Sequence, residues 1–365
     1  MEYKQYNGFG LSRLGYGAMR LPEKDGRIDR EVASTLIDKA IKGGVTYIDT
    51  AVVYHAGDSE VFLGEVLKNY SRDSYCLASK FTINASPDYK TMFEEQLQRL
   101  GTDYLDFYLM HGIGDSTAQR YIDEGAVDYF LEQKRKGRIR FLGFSTHASP
   151  EVLKKFVSHH QWDFAQMQLN YFDWNFSHTE EEYNILRDNN IPIVVMEPVR
   201  GGRLADLTPE ANAMLKVAHP EWSIASWAFR FVRSLPQVQV ILSGMTTLNQ
   251  VEDNLATFSS DNNFTEKDRE ILFEAARLFR SQVHIPCTSC RYCCETCPSE
   301  INIPEWLKLY NRSKIDGGWV IKRFGDAVES KGVPADCVAC RECIKQCPQG
   351  IDIPSLLEEL TDALR

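Results

Sequence analysis

The cysteines near the end of the sequence have a spacing that can bind iron. Nine of the ten cysteines lie between Cys287 and Cys347. Two runs share the pattern C-x2-C-x2-C-x3-C-P, which is the bacterial iron–sulfur spacing. Their members are Cys287, Cys290, Cys293 and Cys297 in the first run, and Cys337, Cys340, Cys343 and Cys347 in the second. The doubled pattern predicts [4Fe–4S] clusters.

Two other uses of these cysteines fit the sequence less well. Zinc sites generally pair C-x2-C motifs across a longer loop, whereas each run here is a tight series. A disulfide framework is typical of secreted proteins, and residues 1–10 have no secretory signal pattern. The tenth cysteine, Cys76, lies in an apolar run, where we expect a small buried hydrophobic residue.

A second group of residues could carry proton chemistry. Asp49, Tyr54, Lys80 and His111 each lie at or just after the end of an apolar run. Each alone has an ordinary structural use, so it is their joint placement that predicts a site. An ammonium favours a neighbouring phenolate, so we expect Lys80, held by Asp49, to lower the pKa of Tyr54. Tyr54 is then the predicted general acid for a carbonyl oxygen, which His111 would orient or polarise.

Eight apolar runs, with helical patterns between them, must position these residues. Near-continuous apolar runs are typical of parallel strands buried on both faces. Eight strand–helix units in about 250 residues predict a (β/α)8 TIM barrel, where chemistry lies at the carboxyl ends of strands. The predicted strands are LGYGAM (14–19), YIDTA (47–51), YCLASK (75–80), DFYLMH (106–111), FLGFST (141–146), FAQMQLN (164–170), PIVVME (192–197) and VQVILSG (238–244). Cysteine use changes near residue 280, which predicts a barrel domain over 1–280 and an iron–sulfur domain over 281–365.

Composition limits the partners and the location. The formal net charge is −10, and no run of Lys or Arg indicates a nucleic-acid or anionic-membrane surface. Hydrophobic residues make up 43% and charged residues 25%, which is ordinary for a globular protein. No segment approaches eighteen consecutive apolar residues, so we predict a cytoplasmic protein that binds neither membranes nor nucleic acids.

The first 265 residues resemble the aldo/keto reductase family. The motifs that carry the resemblance are YIDTAVVYHAGDSE, LASK, LDFYLMHG, GFSTH, QMQLNY and ILSGMTTLNQVEDNLA. The resemblance implies that Asp49, Tyr54, Lys80 and His111 are the catalytic tetrad. It also implies NADP(H) or NAD(H) bound across the barrel mouth, and a small carbonyl or alcohol substrate.

The resemblance further implies a set of residues that bind the nicotinamide cofactor. Ser145 and Gln166 would hold the carboxamide, and residues 243–254 would bind the adenosine phosphate end. The complete predicted set is Gly17, Met19, Ser145, Gln166, Pro198, Arg200, Gly202, Ser243, Gly244, Met245, Gln250 and Asn254.

Three positions depart from the family's pattern. Gly244 and Gln250 stand where NADPH-preferring relatives carry Lys and Arg. Arg200 or Arg203, in VRGGRL, would compensate, unless that segment is only a solvated glycine turn. Met196 stands where many relatives stack an aromatic ring on the nicotinamide.

The cysteine-rich segment resembles an α-helical ferredoxin-like domain with two clusters. CPSEINIPEWLKLY and CPQGIDIPSLLEEL repeat a proline-broken segment followed by a helical pattern. In two-cluster arrangements the fourth cysteine of each run ligates the other cluster. We therefore expect one set of Cys287, Cys290, Cys293 and Cys347, and another of Cys337, Cys340, Cys343 and Cys297. Cys294 is the predicted spare.

Two functions remain open from the sequence. The first is a nicotinamide-dependent carbonyl reductase. Its clusters either transfer electrons to a redox partner protein docked on the cluster domain or have a structural role. The second is a redox-sensing or electron-relay protein that binds nicotinamide with little carbonyl turnover. A hydride carries two electrons and each cluster takes one, and we find no flavin signature to convert between them. The complete tetrad favours the enzyme.

Overall fold

The computed structural model describes residues 1–85, 88–261, 263–281, 284–316 and 318–365. The chain forms two compact units. The first contains residues 1–199 and 225–269, and the second contains residues 200–224 and 270–365. Residues 200–224, which the sequence placed with the barrel, therefore group with the cysteine-rich segment.

The first unit is a closed parallel barrel, as the apolar runs predicted. The strands in the described residues are β1 Tyr3–Tyr6, β2 Phe9–Ser12, β3 Leu14–Gly17, β4 Glu23–Lys24, β5 Arg27–Ile28, β6 Tyr47–Asp49, β7 Cys76–Phe81, β8 Leu105–Ile113, β9 Ile139–Thr146, β10 Phe164–Gln168, β11 Ile193–Met196 and β12 Val238–Ser243. The eight barrel strands follow the order β3-β6-β7-β8-β9-β10-β11-β12, and β12 pairs with β3 to close the barrel. All eight predicted strands are confirmed.

Helices follow the barrel strands and make up most of the second unit. They are α1 Arg30–Lys42, α2 Asp58–Leu67, α3 Tyr89–Leu100, α4 Ala118–Asp123, α5 Ala126–Arg135, α6 Pro150–His159, α7 Tyr171–Phe176, α8 Thr179–Asp188, α9 Pro209–Ala218, α10 Ile224–Arg233, α11 Leu248–Ser259, α12 Glu266–Arg280, α13 Tyr292–Glu295, α14 Ile303–Asp316, α15 Trp319–Phe324, α16 Glu342–Gln346 and α17 Ile353–Leu364. Local signals set their ends: Asp88 caps the start of α3, and Gly101, at φ 62°, ends it. No helix within the described ranges is long and apolar enough to cross a membrane.

A hairpin fills the amino-terminal end of the barrel. β1 and β2 pair antiparallel, and Tyr6 and Leu11 share a hydrophobic cluster with residues near the starts of the barrel strands. Tyr6 packs edge-on against Phe141 at a ring-centroid distance of 4.9 Å. Because aromatic side chains fill this end, the chemistry has to lie at the carboxyl ends of the strands.

The second unit has its own apolar core around the cysteines. Trp306 and Leu307 of α14 and Leu357 and Leu360 of α17 are buried there. Cys293 lies on the short helix α13 and Cys343 on the short helix α16, so the third cysteine of each run has the same helical setting. The predicted helical character of the iron–sulfur domain is confirmed.

Candidate functional site

Three of the four predicted catalytic residues lie on neighbouring strands. Asp49 is the last residue of β6, Lys80 is one residue from the end of β7, and His111 lies near the carboxyl end of β8. Tyr54 begins a short 3₁₀ turn after β6. The barrel therefore brings all four residues to the same end.

The turn that carries Tyr54 has an uncommon backbone. His55 has a φ of 51° and Ala56 a φ of 53°, and Gly57 follows at 91°. Left-handed backbone costs a non-glycine residue roughly 1–2 kcal/mol. Strain of this kind concentrates at functional sites, and here it holds the tyrosine just before the start of α2.

Lys80 connects the acid and the phenol. Its Nζ donates to Asp49 Oδ1 at 2.6 Å, to the carbonyl oxygen of Thr50 at 2.7 Å and to the Tyr54 hydroxyl at 3.2 Å. Lys80 is fully buried, and Asp49 and Tyr54 are 2% and 7% exposed. The His111 ring meets the Tyr54 ring edge-on, with centroids 6.0 Å apart. Lys80 is thus held by Asp49 as the sequence analysis expected.

The pKa of Tyr54 shifts in the direction opposite to the expectation. Burial raises it well above the usual range, the carboxylates of Asp49 and Glu197 raise it further, and Arg20 acts to lower it. The prediction of a lowered pKa is therefore wrong: the sum of all effects raises the pKa of Tyr54. The reason is that the cost of removing a phenolate from water exceeds the stabilisation that nearby cations provide.

The other three groups also shift toward their neutral forms. Burial lowers the pKa of Lys80, although Asp49 and Glu60 oppose that shift. Burial raises the pKa of Asp49 against the effect of Lys80. Burial lowers the pKa of His111 well below its usual range, and the charge of Lys80 adds to this. The imidazole is therefore neutral near pH 7 and can donate a hydrogen bond without carrying charge.

A buried network behind Lys80 was not predicted. Glu60 Oε1 accepts from Ser79 Oγ and from Gln96 Nε2, both at 2.6 Å, and Gln96 Nε2 also lies 3.0 Å from the Lys80 carbonyl oxygen. Arg99 Nε donates to Glu60 Oε2 at 2.8 Å. Glu60 lies on α2 and Gln96 on α3, so a helix pair fixes the end of β7. The glutamate of DSE and the glutamine of EEQ carry no spacing signal that marks them as partners.

Glu197 is a second acid that sequence reasoning missed. It follows β11 directly, has a φ of 54°, and its charge acts on Tyr54. Asn170 Nδ2 donates to the Glu197 carbonyl oxygen at 3.1 Å, which holds this strained residue. The sequence analysis assigned the end of this strand to Met196, which is half-buried. No pattern in VVMEPV marks the glutamate.

Ser145 and Gln166, the predicted carboxamide ligands, lie on adjacent strands. Ser145 Oγ accepts from the Gly112 amide at 2.8 Å, which leaves its own proton for another acceptor. Gln166 is 1% exposed, and its Oε1 is buried with no hydrogen-bond partner among the described residues. A buried amide oxygen of this kind requires a partner, and the amide group of a nicotinamide would supply one.

The residues predicted for the adenosine phosphate end cluster after β12. Asn254 Nδ2 donates to Ser243 Oγ at 3.0 Å. Gln250 Oε1 accepts from the amides of Thr246 and Thr247 as part of a capping box at the start of α11. Gln250 therefore has a local capping role in this structure. Gly244 lies close to Arg20, since a Cβ atom added at Gly244 would be 3.0 Å from Arg20 Cβ.

The remaining predicted cofactor residues divide between the two units. Gly17 ends β3, and Met19 is half-buried in the following turn. Met245 is buried, and its carbonyl accepts from Tyr16. Pro198 lies in the first unit, whereas Arg200 and Gly202 lie in the second.

Each expected set of four cysteines lines one small cavity. We call the first cavity the one lined by Cys287, Cys290, Cys293 and Cys347, and the second cavity the one lined by Cys297, Cys337, Cys340 and Cys343. The structure thus brings together three members of one run and the fourth member of the other in both cases. Cys294 lies in neither described lining.

The donor set fits iron–sulfur clusters. Four thiols around an apolar cavity are the ligands that a [4Fe–4S] cluster requires. Apolar residues such as Leu307 and Ile351 complete the first cavity, and Ile303 and Leu357 complete the second.

The loops around the two cavities repeat the same backbone. Ser289 and Arg291 flank Cys290 with φ values of 57° and 70°, and Ala339 and Arg341 flank Cys340 with φ values of 50° and 63°. In the first loop the Ser289 amide donates to Cys287 Sγ at 3.4 Å. Left-handed residues on both sides of the second cysteine curl each loop around its cavity.

These features define an oxidoreductase that joins a barrel to an iron–sulfur domain. The chain belongs to the aldo/keto reductase family, which it matches over residues 13–276. Residues 286–351 match a 4Fe-4S dicluster domain.

This chain is similar to known proteins in sequence and to solved structures in fold. The NADH-specific methylglyoxal reductase of Escherichia coli is 27% identical over 317 residues, covering 73% of this chain and 95% of that protein. The uncharacterized oxidoreductase YqkF of Bacillus subtilis is 28% identical over 279 residues, covering 67% of this chain and 86% of that protein. The holo form of the aldo-keto reductase AKR11C1 from Bacillus halodurans superposes with a TM-score of 0.63 at 26% identity, covering 75% of this chain and 96% of that one.

Proposed function

We propose that this chain reduces a small aldehyde or ketone, or oxidises the corresponding alcohol, with Tyr54 as the general acid. The observation that carries the proposal is the buried connection from Asp49 through Lys80 Nζ to the Tyr54 hydroxyl. A phenol oxygen that accepts a hydrogen bond from an ammonium must direct its own proton elsewhere. Tyr54 is therefore arranged as a proton donor.

The four residues have distinct roles in the reduction. The nicotinamide, when bound, supplies the hydride to the carbonyl carbon. The carbonyl oxygen gains the electron pair of the broken π bond and takes the Tyr54 proton, and Lys80 then stabilises the phenolate that remains. Asp49 holds Lys80, and neutral His111 donates a hydrogen bond to the carbonyl. The raised pKa of Tyr54 keeps the phenol protonated across the physiological range.

The nicotinamide cofactor is proposed to bind through the residues around the barrel mouth. The unpartnered Oε1 of Gln166 and the hydroxyl of Ser145 would bind its carboxamide. Ser243 and Asn254, with the start of α11, would bind its phosphate end. Gly17, Met19, Pro198, Gly244 and Met245 would supply close backbone approach and packing.

The choice between NADH and NADPH follows from the phosphate end. The Escherichia coli relative is NADH-specific by name, whereas an aldo-keto reductase from Klebsiella pneumoniae, 22% identical, was solved with NADPH. Gly244 and Gln250 offer no cation to a 2′-phosphate, and Gln250 already caps α11. We therefore propose that NADH is accepted at least as well as NADPH.

The two cavities are proposed to hold one [4Fe–4S] cluster each, with the fourth cysteine exchanged between runs. Such clusters supply one-electron transfer or structural support. Their protein ligands are the eight cysteines defined above, and a redox partner protein is proposed to dock on this domain.

Replacement of Tyr54 by Phe tests the catalytic proposal. The variant should lose carbonyl reduction by roughly 10²–10⁴-fold in kcat, because the proton donor is gone. Nicotinamide binding, measured by fluorescence quenching, should stay unchanged. Tyr3→Phe, at an exposed tyrosine, is the matched control and should keep full activity. Wild-type kcat in Tyr54→Phe would exclude this tyrosine as the acid.

A further inference from the structure

The turn that follows β11 has an unusual backbone and carries two arginines. Arg200 has a φ of 50°, and Gly201 and Gly202 follow at 66° and 92°. Three consecutive left-handed residues include one that is not glycine, so the fold accepts strain to place Arg200. Arg200 is 2% exposed, although a solvated turn would leave such a side chain in water.

Arg200 is fixed by residues of the first cavity. Its Nη2 donates to the Pro286 carbonyl oxygen at 3.0 Å and to Gln349 Oε1 at 3.4 Å. Pro286 precedes the ligand Cys287, and Gln349 lines the first cavity two residues after the ligand Cys347. The guanidinium thus lies between the chain segments that carry the first and last ligands of this cavity.

Arg203 adds a second cation on the same side. Its Nη1 lies 3.5 Å from the carbonyl oxygen of Ile285, which is two residues before the ligand Cys287. Arg203 is half-buried, so water screens its charge less than it would an exposed one. Two cations from one turn therefore contact the backbone of the two residues that precede Cys287.

The second cavity differs at the corresponding position: the carbonyl oxygen of Asp336, the residue before Cys337, accepts from the neutral hydroxyl of Ser299 at 2.7 Å. Its lining contains Arg341, which is exposed and corresponds by repeat to exposed Arg291 of the first cavity. Cys340 of the second cavity is exposed, whereas Cys290 at the equivalent position is half-buried. The two repeats are therefore alike in ligands and unlike in surrounding charge.

We propose that Arg200 and Arg203 raise the reduction potential of the cluster in the first cavity above that of the cluster in the second. Reduction adds one negative charge to a cluster, and a fixed cation that is poorly screened stabilises the reduced form. An electron shared by the domain then resides in the first cavity, and the second cavity, whose ligand Cys340 is exposed, exchanges electrons with partners. The inference rests on the proposed cluster content of both cavities.

The same contacts argue against the phosphate-binding role predicted for Arg200. A side chain that donates to Pro286 and Gln349 is already committed within the second unit. Substitution of Arg200 should therefore leave the KM for NADPH and for NADH unchanged, and an increase in the NADPH value would restore the earlier prediction.

The test is a redox titration of the anaerobically purified full chain, followed by EPR. Iron is measured first, since two clusters require about eight iron atoms per chain. The wild type should show two midpoint potentials. Arg200→Gln should shift the higher one to a more negative value and leave the lower one in place, whereas Arg200→Lys should retain most of the wild-type value. Lys322→Gln, at an exposed cation that lines neither cavity, should shift neither.

Ligand variants assign the two signals. Cys290→Ser should alter the signal that depends on Arg200, and Cys340→Ser should alter the other. Equal potentials in the wild type, or equal shifts of both signals in Arg200→Gln, would overturn the proposal. If Arg200→Gln loses iron, the same titration is made with Arg203→Gln, which should also shift only the higher potential to a more negative value. An iron content that corresponds to one cluster would instead overturn the proposal that both cavities hold clusters. The Tyr54→Phe assay tests the catalytic proposal, and its result does not depend on the iron content or on the potentials.

Discussion

Lys80 Nζ and Asp49 Oδ1 lie 2.6 Å apart at the carboxyl end of the barrel, and both side chains are almost excluded from solvent. A buried pair of this kind is costly to desolvate, and removal of either partner leaves an uncompensated charge. The pair therefore contributes position more than net stability, because it keeps an ammonium within hydrogen-bonding distance of Tyr54.

Separate removal of the two partners should be worse than joint removal. Lys80→Met and Asp49→Asn should each lower the free energy of unfolding by about 3–5 kcal/mol, and the double variant should lose clearly less than the sum. Denaturant titrations measure all three. The exposed pair Lys39–Glu252, at 2.9 Å, is the control, and Lys39→Met should cost less than about 1 kcal/mol. Additive losses at Lys80 and Asp49 would contradict a coupled pair.

Glu60 should tune the protonation of Lys80. Its charge favours the ammonium, so Glu60→Gln should move the alkaline limb of the pH profile of kcat/KM to lower pH. The glutamine keeps an acceptor for Ser79 and Gln96, which separates charge from packing. Glu95→Gln is the matched control, since Glu95 pairs with Arg99 at the surface. An unchanged pH profile in Glu60→Gln would assign this residue to structure alone.

Glu182 should make the barrel less stable at high pH. Burial raises its pKa to about 7, and Asp173 and Glu181 add to the shift. The unfolded chain releases this proton at a lower pH, near the ordinary glutamate value of about 4.3. Stability from this group is therefore complete at low pH, is lost as the pH rises toward 7, and stays constant above that.

Replacement of Glu182 by Gln should remove this pH dependence. The free energy of unfolding should rise by about 1–3 kcal/mol at pH 8 and change little at pH 4. Glu180→Gln, at an exposed position on the same helix, should have no effect at either pH. Equal effects of Glu182→Gln on the free energy of unfolding at both pH values would show that the pKa of the Glu182 carboxyl is not raised.

Cys294 should be dispensable for iron. Cys294→Ser should keep the full iron content, because the side chain lies outside both described linings. Cys293→Ser, at the neighbouring residue that lines the first cavity, should lose roughly half of the iron. Iron analysis and the visible absorbance of the clusters measure both effects. Half the iron in Cys294→Ser would show that the wrong cysteine was taken as the spare.

The sequence predicted the barrel well because its strands are buried on both faces. Runs such as YCLASK and VQVILSG need only be apolar and regularly spaced to indicate parallel strands, and all eight are strands. The tetrad could be predicted for the same reason, since β6, β7 and β8 are neighbours both in sequence and in space. The grouping of cysteines around the two cavities likewise follows their spacing.

What the sequence did not predict depends on contacts between distant segments. Glu60 meets Gln96 through the packing of α2 against α3. Glu197 follows β11 and acts on Tyr54, which follows β6, although β12 and β3 lie between these two strands in the barrel. Arg200 reaches Pro286 and Gln349 over 86 and 149 residues of sequence. The raised pKa of Tyr54 could not be predicted either, because it is caused by burial, which exists only in the folded barrel.

The exchange of the fourth cysteines fixes the order in which a growing chain can complete its thiol sets. Cys297 emerges early but belongs with residues made later, so the second cavity has all four ligands once Cys343 is present. The first cavity begins with Cys287 and still lacks a ligand until Cys347 is added. The set that starts first is therefore finished last, and three reactive thiols must remain reduced while the rest of the domain is synthesised.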